Sequence, residues 1–137
     1  LSIDTCGTAF AGGGLNTGLR DLARFGEMMR LDGRWGDEQI VPKAAVDDIR
    51  RGADQGHFAK AGIPTLPGWS YRNMWWVSHN AHGAFSARGV HGQAIYVDPA
   101  AEMVIARYGS YPHAANVYID PTSLPAYHAL ALHLMSS

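Results

Sequence analysis

Four short β-rich runs follow one another in the second half of the chain: "NMWWVSH", "GAFSARG", "QAIYVDP" and "EMVIARYG". Turn residues separate them, and connections such as "NAHG" and "DPAA" are of hairpin length. A parallel pair needs a crossover of about a dozen residues or more, so these runs can only be antiparallel neighbours. This meander constrains the fold more than any other feature, because the remaining elements must cover it.

Three helical segments supply the cover. In "TGLRDLARFGEMMRLDG" the spacing of Leu19, Leu22, Phe25 and Met29 predicts a helix with one apolar face. Arg20, Arg24 and Glu27 fall largely elsewhere; Asn16 or Thr17 can cap the start and Gly33 can stop the end. "RWGDEQIV" reads as a turn and a short extended piece. Pro42 suits the first turn of a second helix running to about Arg51 and ended by Gly52. Residues 52–70 are rich in Gly and Pro and read as a long surface loop. "SYPHAANVYIDP" is irregular. Ser123 then caps a last helix that Pro125 enters, with Leu124, Tyr127, Leu130, Leu134 and Ala131 toward the core. The fold class expected is α+β, an antiparallel meander flanked by helices.

A length of 137 residues suits one domain. The net charge of −1 argues against nucleic acid or an anionic membrane as main partner, since both select a basic surface. One cysteine, Cys6, allows no internal disulfide and no Cys-based zinc site, and is compatible with a cytoplasmic setting. No apolar run approaches the ~18 residues of a membrane span. The opening "LSIDTCGTAF" has no initiator Met and reads as the middle of a longer protein.

Hydrolytic nucleophiles are hard to find. The chain has no Gly-x-Ser-x-Gly elbow and no Ser-x-x-Lys. No fixed spacing pairs any of its seven histidines with a nucleophile, and Ser78 and His79, adjacent on a strand, point to opposite faces. His79 and His82 flank a turn, and His128 and His133 are five apart, so no zinc pattern forms. The glycine-framed turn Gly89-Val90-His91-Gly92-Gln93 lacks the Lys-Ser/Thr and following helix of a phosphate loop. Two readings of that turn stay open: a bulge or tight strand junction that needs glycine, or an oxyanion hole made from rigid backbone N–H groups. In the second, Gly89 lets the backbone approach a substrate carbonyl and the N–H of Val90 donates.

Two long stretches carry a family resemblance. "AGGGLNTGLRDLARFGEMMRLDGRW" resembles the Gly-Gly-Leu-x-Ser-Thr-x-x-Asp-Leu-Ala-Arg-Phe-x-x-Met segment of serine hydrolases of the class C β-lactamase and penicillin-recognising group. "YRNMWW" followed by "GAFSARGVHGQAIYVDPAAEMVI" resembles that group's Tyr-Gly-x-Gly-Trp and Gly-Tyr-Gly-Gly-Gln-Tyr-Ile-x-Val-Asp-Pro segment. Within the group, Trp75-Trp76, "ARGVHGQAIYVDPAAEMVI" and "DPTSLPAYHALALHLM" look most like the nylon-oligomer (6-aminohexanoate-dimer) hydrolases.

The resemblance implies that residues 1–137 are the C-terminal part of a β-lactamase-like domain. The nucleophile-bearing N-terminal part, with Ser-x-x-Lys and a catalytic tyrosine, would precede it. The implied reaction is cleavage of linear amides through an acyl-serine; a carboxylesterase, a D-amino-acid peptidase or β-lactamase-type enzyme, and a non-catalytic binding module are the alternatives. The family's third motif, Lys/His-x-Gly, falls on Ala87-Arg88-Gly89, where Ala87 departs from the pattern. Val90 then supplies one oxyanion-hole N–H beside Gly89. Trp76, Arg88 and the loop Phe10-Ala11-Gly12 border the substrate cleft. Tyr71-Arg72-Asn73 spells the family's Tyr-x-Asn but aligns with the strand leading into the tryptophans, where a buried aromatic is the commoner fate. Trp75 and Trp76 must face opposite sides of their strand, one for the core and one for a pocket. No cofactor and no metal are expected. The expected partners are a small-molecule amide or ester, the N-terminal part of the enzyme, and a second copy in a homodimer, with neither nucleic acid nor membrane.

Overall fold

The computed structural model describes residues 5–8 and 17–136. Phe10, Ala11, Gly12 and the capping candidate Asn16 lie outside them. The architecture is α+β. One sheet runs in the order β3-β4-β5-β6-β7, every neighbour antiparallel. Its strands are β3 (Ser70–Arg72), β4 (Trp75–Val77), β5 (Phe85–Arg88), β6 (Ala94–Asp98) and β7 (Met103–Arg107). A separate pair, β1 (Arg34–Trp35) and β2 (Glu38–Gln39), is the small extended piece expected after the first helix.

The meander has five strands rather than the expected four. Asn73 and Met74, read as strand, are the turn: both have positive φ, and the register Arg72↔Trp75 makes them a two-residue hairpin loop. Such loops usually announce themselves by Asn-Gly; a methionine in the second position hides the signal, and with it the three-residue strand β3.

Helices α1 (Leu19–Arg30) and α2 (Lys43–Arg51) cover one face of the sheet, α1 across β6 and β7 and α2 against β4. The core there joins Met28, Met29, Val46, Ile49, Trp75, Val77, Phe85, Ile95 and Val97. The stripe of α1 is rotated from its expected position. Met29 is buried, but Leu19 and Phe25 stay exposed and Gly26 faces the sheet. A Cβ on Gly26 would come within 2.5 Å of Val104 Cγ1 and 2.8 Å of Ile95 Cγ2. The helix therefore sits lowest at a residue that carries no weight in an apolar-periodicity reading. Thr17 is not the N-cap; Gly18 is, through its carbonyl, with no side-chain cap. Gly33 does end the helix, at φ +83 with its N–H on the Met28 carbonyl.

The stretch 52–70 is not all loop, because α3 (Gln55–Ala59) forms inside it. Asp54 caps that helix by accepting from the His57 N–H at 2.5 Å. The last helix, α4 (Asp120–Met135), covers the opposite face of the sheet. It starts earlier than expected, with Pro121 in its first turn. Ser123 is already inside: its N–H reaches the Ile119 carbonyl, and its hydroxyl accepts from Arg107 Nη1 at 2.7 Å. Pro125 lies within the helix, where it has no N–H to give the Pro121 carbonyl. Ser123, Tyr127 and Ala131 form the i, i+4 row toward the sheet. Leu130 and Leu134 belong to a row about 100° away and are exposed, against expectation. Among the described residues no helix is long and apolar enough to cross a membrane.

Candidate active site

The site is built where β5 runs out of partners. Its ladder to β4 stops at Trp76↔Ser86, while pairing with β6 continues to Arg88↔Ala94. Gly89 stays extended at φ −111, ψ 172, and the chain then folds into a single 3₁₀ turn, Val90–Gly92. The Gly89 N–H donates to the Gln93 carbonyl at 2.9 Å. Asn116 Nδ2 donates to the Gly89 carbonyl at 2.9 Å. In a planar trans peptide the N–H points opposite to the C=O. The Val90 N–H is therefore aimed away from the Asn116 amide, and it donates no hydrogen bond among the described residues. It is not part of a strand ladder.

Sequence reasoning missed the side chains that stiffen this turn. The Gln93 amide closes a two-way bridge to Gly109, Nε2 donating to its carbonyl at 2.6 Å and Oε1 accepting its N–H at 3.2 Å. Arg107 Nε donates to the Gly92 carbonyl at 2.6 Å while its Nη1 holds Ser123. The His91 N–H reaches the Ala114 carbonyl at 3.1 Å. Gly92, at φ +85, needs to be glycine. Gly89 has a second use: a Cβ there would meet Gln93 Cβ at 2.9 Å, so the missing side chain makes room for the brace. None of these long-range partners sits at a spacing that a motif could reveal.

A cavity of about 490 Å³ opens beside the turn, lined by Trp76, Arg88, Gly89 and Val90 together with residues 62–64, Leu66, residues 114–117 and Asp120. That volume lies within the range of small-molecule sites. The two tryptophans divide as strand alternation requires. Trp75 is buried against Phe85, with ring centroids 5.2 Å apart; Trp76 faces the cavity, edge-on to Tyr71 at 5.0 Å and Phe58 at 5.7 Å. Arg88 shares the Trp76 face. Its guanidinium lies 5.3 Å from the Trp76 ring centre and 6.0 Å from that of Trp69, and is ion-paired with Asp120. The other Asp120 oxygen accepts from the Thr65 hydroxyl at 2.6 Å. Asp120 and Thr65 were not anticipated. Ala87 is partly buried against the other core and lines a neighbouring hollow of about 370 Å³, which shares Trp76, Arg88 and Gly89 with the first.

Tyr71 is exposed rather than buried, because it lies on the cavity side of an edge strand. Its hydroxyl contacts Met74 Sδ at 3.4 Å. A serine-histidine contact that spacing did not reveal does form: Ser70 Oγ lies 2.7 Å from His79 Nε2 across the β3–β4 hairpin. Ser70 is fully buried and also accepts the Ala53 N–H at 2.9 Å, so its hydroxyl has no access to a substrate. His82 pairs elsewhere, Nδ1 to Asp98 Oδ2 at 2.8 Å. Among the described residues no group of three or more His, Cys, Asp or Glu could hold a metal ion.

No family model matches the chain. Over 113 residues it is 33% identical to the 6-aminohexanoate-dimer hydrolase of Paenarthrobacter ureafaciens, an alignment covering 82% of this chain and 29% of that protein. A solved structure from Bacillus anthracis, provisionally named a 6-aminohexanoate-dimer hydrolase, superposes with a TM-score of 0.70 at 35% identity, covering 86% of this chain and 29% of that one. The chain thus spans under a third of the length of these relatives, and it shares their fold over that span.

Proposed function

We propose that this chain is the C-terminal portion of a serine hydrolase that cleaves linear amides, and that it supplies one oxyanion-hole donor and part of the acyl pocket. The Val90 N–H carries this reading: an unengaged donor, on a braced turn, at the rim of a cavity. In the reaction a serine hydroxyl from the N-terminal part attacks the amide carbonyl. A C–O bond forms, the C–N bond breaks and the amine leaves with a proton. Water then attacks the acyl-serine, releasing the acid and restoring the hydroxyl. Charge gathers on the carbonyl oxygen in both steps, and the Val90 N–H, with a second N–H from the serine itself, would stabilise it. Rigidity matters because a donor fixed beforehand costs no reorganisation when the charge appears. Trp76 and Arg88 would wall the acyl pocket, with Phe10 and Ala11 on its border, and Gly89 would keep the turn narrow. The setting we infer is cytoplasmic.

The 6-aminohexanoate dimer named for both relatives is the first substrate to test, with a short ester second. The ester reading, a carboxylesterase, is favoured by one observation: among the described residues the cavity is lined by the Arg88–Asp120 ion pair and otherwise by uncharged side chains. The expected result is phosphonate-sensitive turnover by the enzyme carrying both parts and none by this chain alone. Hydrolysis of p-nitrophenyl acetate by the isolated chain, at a rate unaffected by a serine-directed phosphonate, would overturn the reading.

A further inference from the structure

We propose that Asn116 is a positioning residue for the oxyanion donor: its side-chain amide aims and strengthens the Val90 N–H without touching the reacting atoms. The proposal rests on the hydrolase reading above and adds a residue to it. The peptide planes on either side of the donor are held by backbone. The Gly89 N–H donates to the Gln93 carbonyl at 2.9 Å. The Val90 carbonyl accepts the Gln93 N–H at 3.2 Å, and the His91 N–H reaches the Ala114 carbonyl at 3.1 Å. The Gly89–Val90 plane, which carries the donor, draws its hydrogen bond from a side chain instead: Asn116 Nδ2 donates to the Gly89 carbonyl at 2.9 Å. A carbonyl oxygen only accepts, so the nitrogen end of the Asn116 amide must be the one that faces it.

Two consequences follow from that bond. The C=O and N–H of one trans peptide are rigidly opposed, so holding the Gly89 carbonyl aims the Val90 N–H. The plane turns by paired changes in ψ of Gly89 and φ of Val90, and a glycine, with no Cβ, resists such a change least. Asn116 restores the restraint that Gly89 gives up. A hydrogen bond at the carbonyl also polarises the N–H at the far end, by about 10–30% in condensed-phase estimates. The anchor is itself fixed. Asn116 opens the 3₁₀ turn Asn116–Tyr118, its own carbonyl accepts the Ile119 N–H at 2.9 Å, and the segment is pinned again two residues earlier, where Ala114 meets His91.

The test is a double-mutant cycle of Asn116→Leu with Val90→Pro, in the enzyme with both parts present and with p-nitrophenyl acetate as substrate. Leucine keeps the size of the side chain and removes its donor. Asn116→Leu should lower kcat about tenfold with KM nearly unchanged, less than the ~10²–10³ expected when the Val90 donor itself is lost. In the Val90→Pro background it should lower kcat no further, because the group it acts through is gone. Asn116→Asp keeps the shape of asparagine but sets a carboxylate oxygen against the Gly89 carbonyl. It should lower kcat more than leucine does, and it takes the place of leucine in the cycle should that variant not fold. A kcat that neither variant changes overturns the proposal. So does a kcat that falls by the same factor with and without the Val90 N–H, since Asn116 would then serve only the fold or the pocket wall. If Val90→Pro alone leaves kcat intact, the oxyanion reading has failed first and takes the proposal with it.

Discussion

The two faces of the sheet obey different rules. Beneath α1 and α2 the packing is mainly apolar, with Phe85 and Val97 fully buried and Trp75 between Phe85 and Phe25; the polar exceptions are the buried Ser70–His79 contact and Arg50, which lies over the Phe85 ring with its Nε buried and without a hydrogen-bond partner among the described residues. Beneath α4 the apolar cluster is smaller, and polar pairs interrupt it: Arg88 with Asp120, Arg107 with Ser123, His82 with Asp98. The Tyr127 hydroxyl is buried there without a hydrogen-bond partner among the described residues. One face supplies the burial that holds the fold. The other gives up burial for directed polar contacts; Arg107 also braces the Gly92 end of the Val90 turn, and Arg88 with Asp120 lines the cavity. On the proposed reading, stability and chemistry are divided between the two faces of a single sheet.

That separation can be broken by substitution. Phe85→Ala should cost about 3–5 kcal/mol in denaturant unfolding, the loss of a fully buried aromatic plus its cavity. If this face serves only the fold, activity per folded molecule should survive. Val90→Pro removes the proposed donor at a 3₁₀ position whose φ a proline tolerates. It should lower kcat by ~10²–10³ while the unfolding midpoint barely moves. A loss of stability with kcat intact would reverse the roles of the two faces.

Gly26→Ala is a subtler probe of the packed face. The new methyl meets Val104 and Ile95, so a cost of about 1–3 kcal/mol is expected with kcat unchanged. Tyr96, on the α4 face, gives the smallest effect at ordinary pH. Burial, and then the negative charge of Asp98, push its phenol up to about 12. A folded value raised above the unfolded one near 10 stabilises fully below pH 10, and that contribution is lost as pH rises toward 12. Unfolding free energy followed from pH 9 to 12 should fall in that window, and Tyr96→Phe should flatten the slope.

How much of this was legible in the sequence also divides by face. The meander, the helix ended by Gly33, the helix running to Arg51 and the opposed tryptophans all follow from short-range pattern, and short-range pattern is what packs the first face. The site is different. Gly89 and Val90 were singled out because a glycine-framed turn at a strand end is local, and Ala87 and Arg88 because of the family resemblance. Asp120, Thr65, Gln93, Arg107 and Asn116 were not, since each reaches its partner across 15 to 55 residues. Ser123 misled for the same reason. Its local context reads as a cap, and only the fold shows its hydroxyl committed to Arg107.

The most direct measurement is a crystal structure of the enzyme, with both of its parts, after inactivation by a phosphonate ester. Such an adduct places a charged oxygen where the tetrahedral intermediate would carry one. We expect that oxygen about 2.7–3.1 Å from the Val90 nitrogen, with the acyl group against Trp76. A serine adduct whose oxygen lies out of hydrogen-bond reach of that nitrogen would show that the turn is a structural junction and that the oxyanion site is elsewhere.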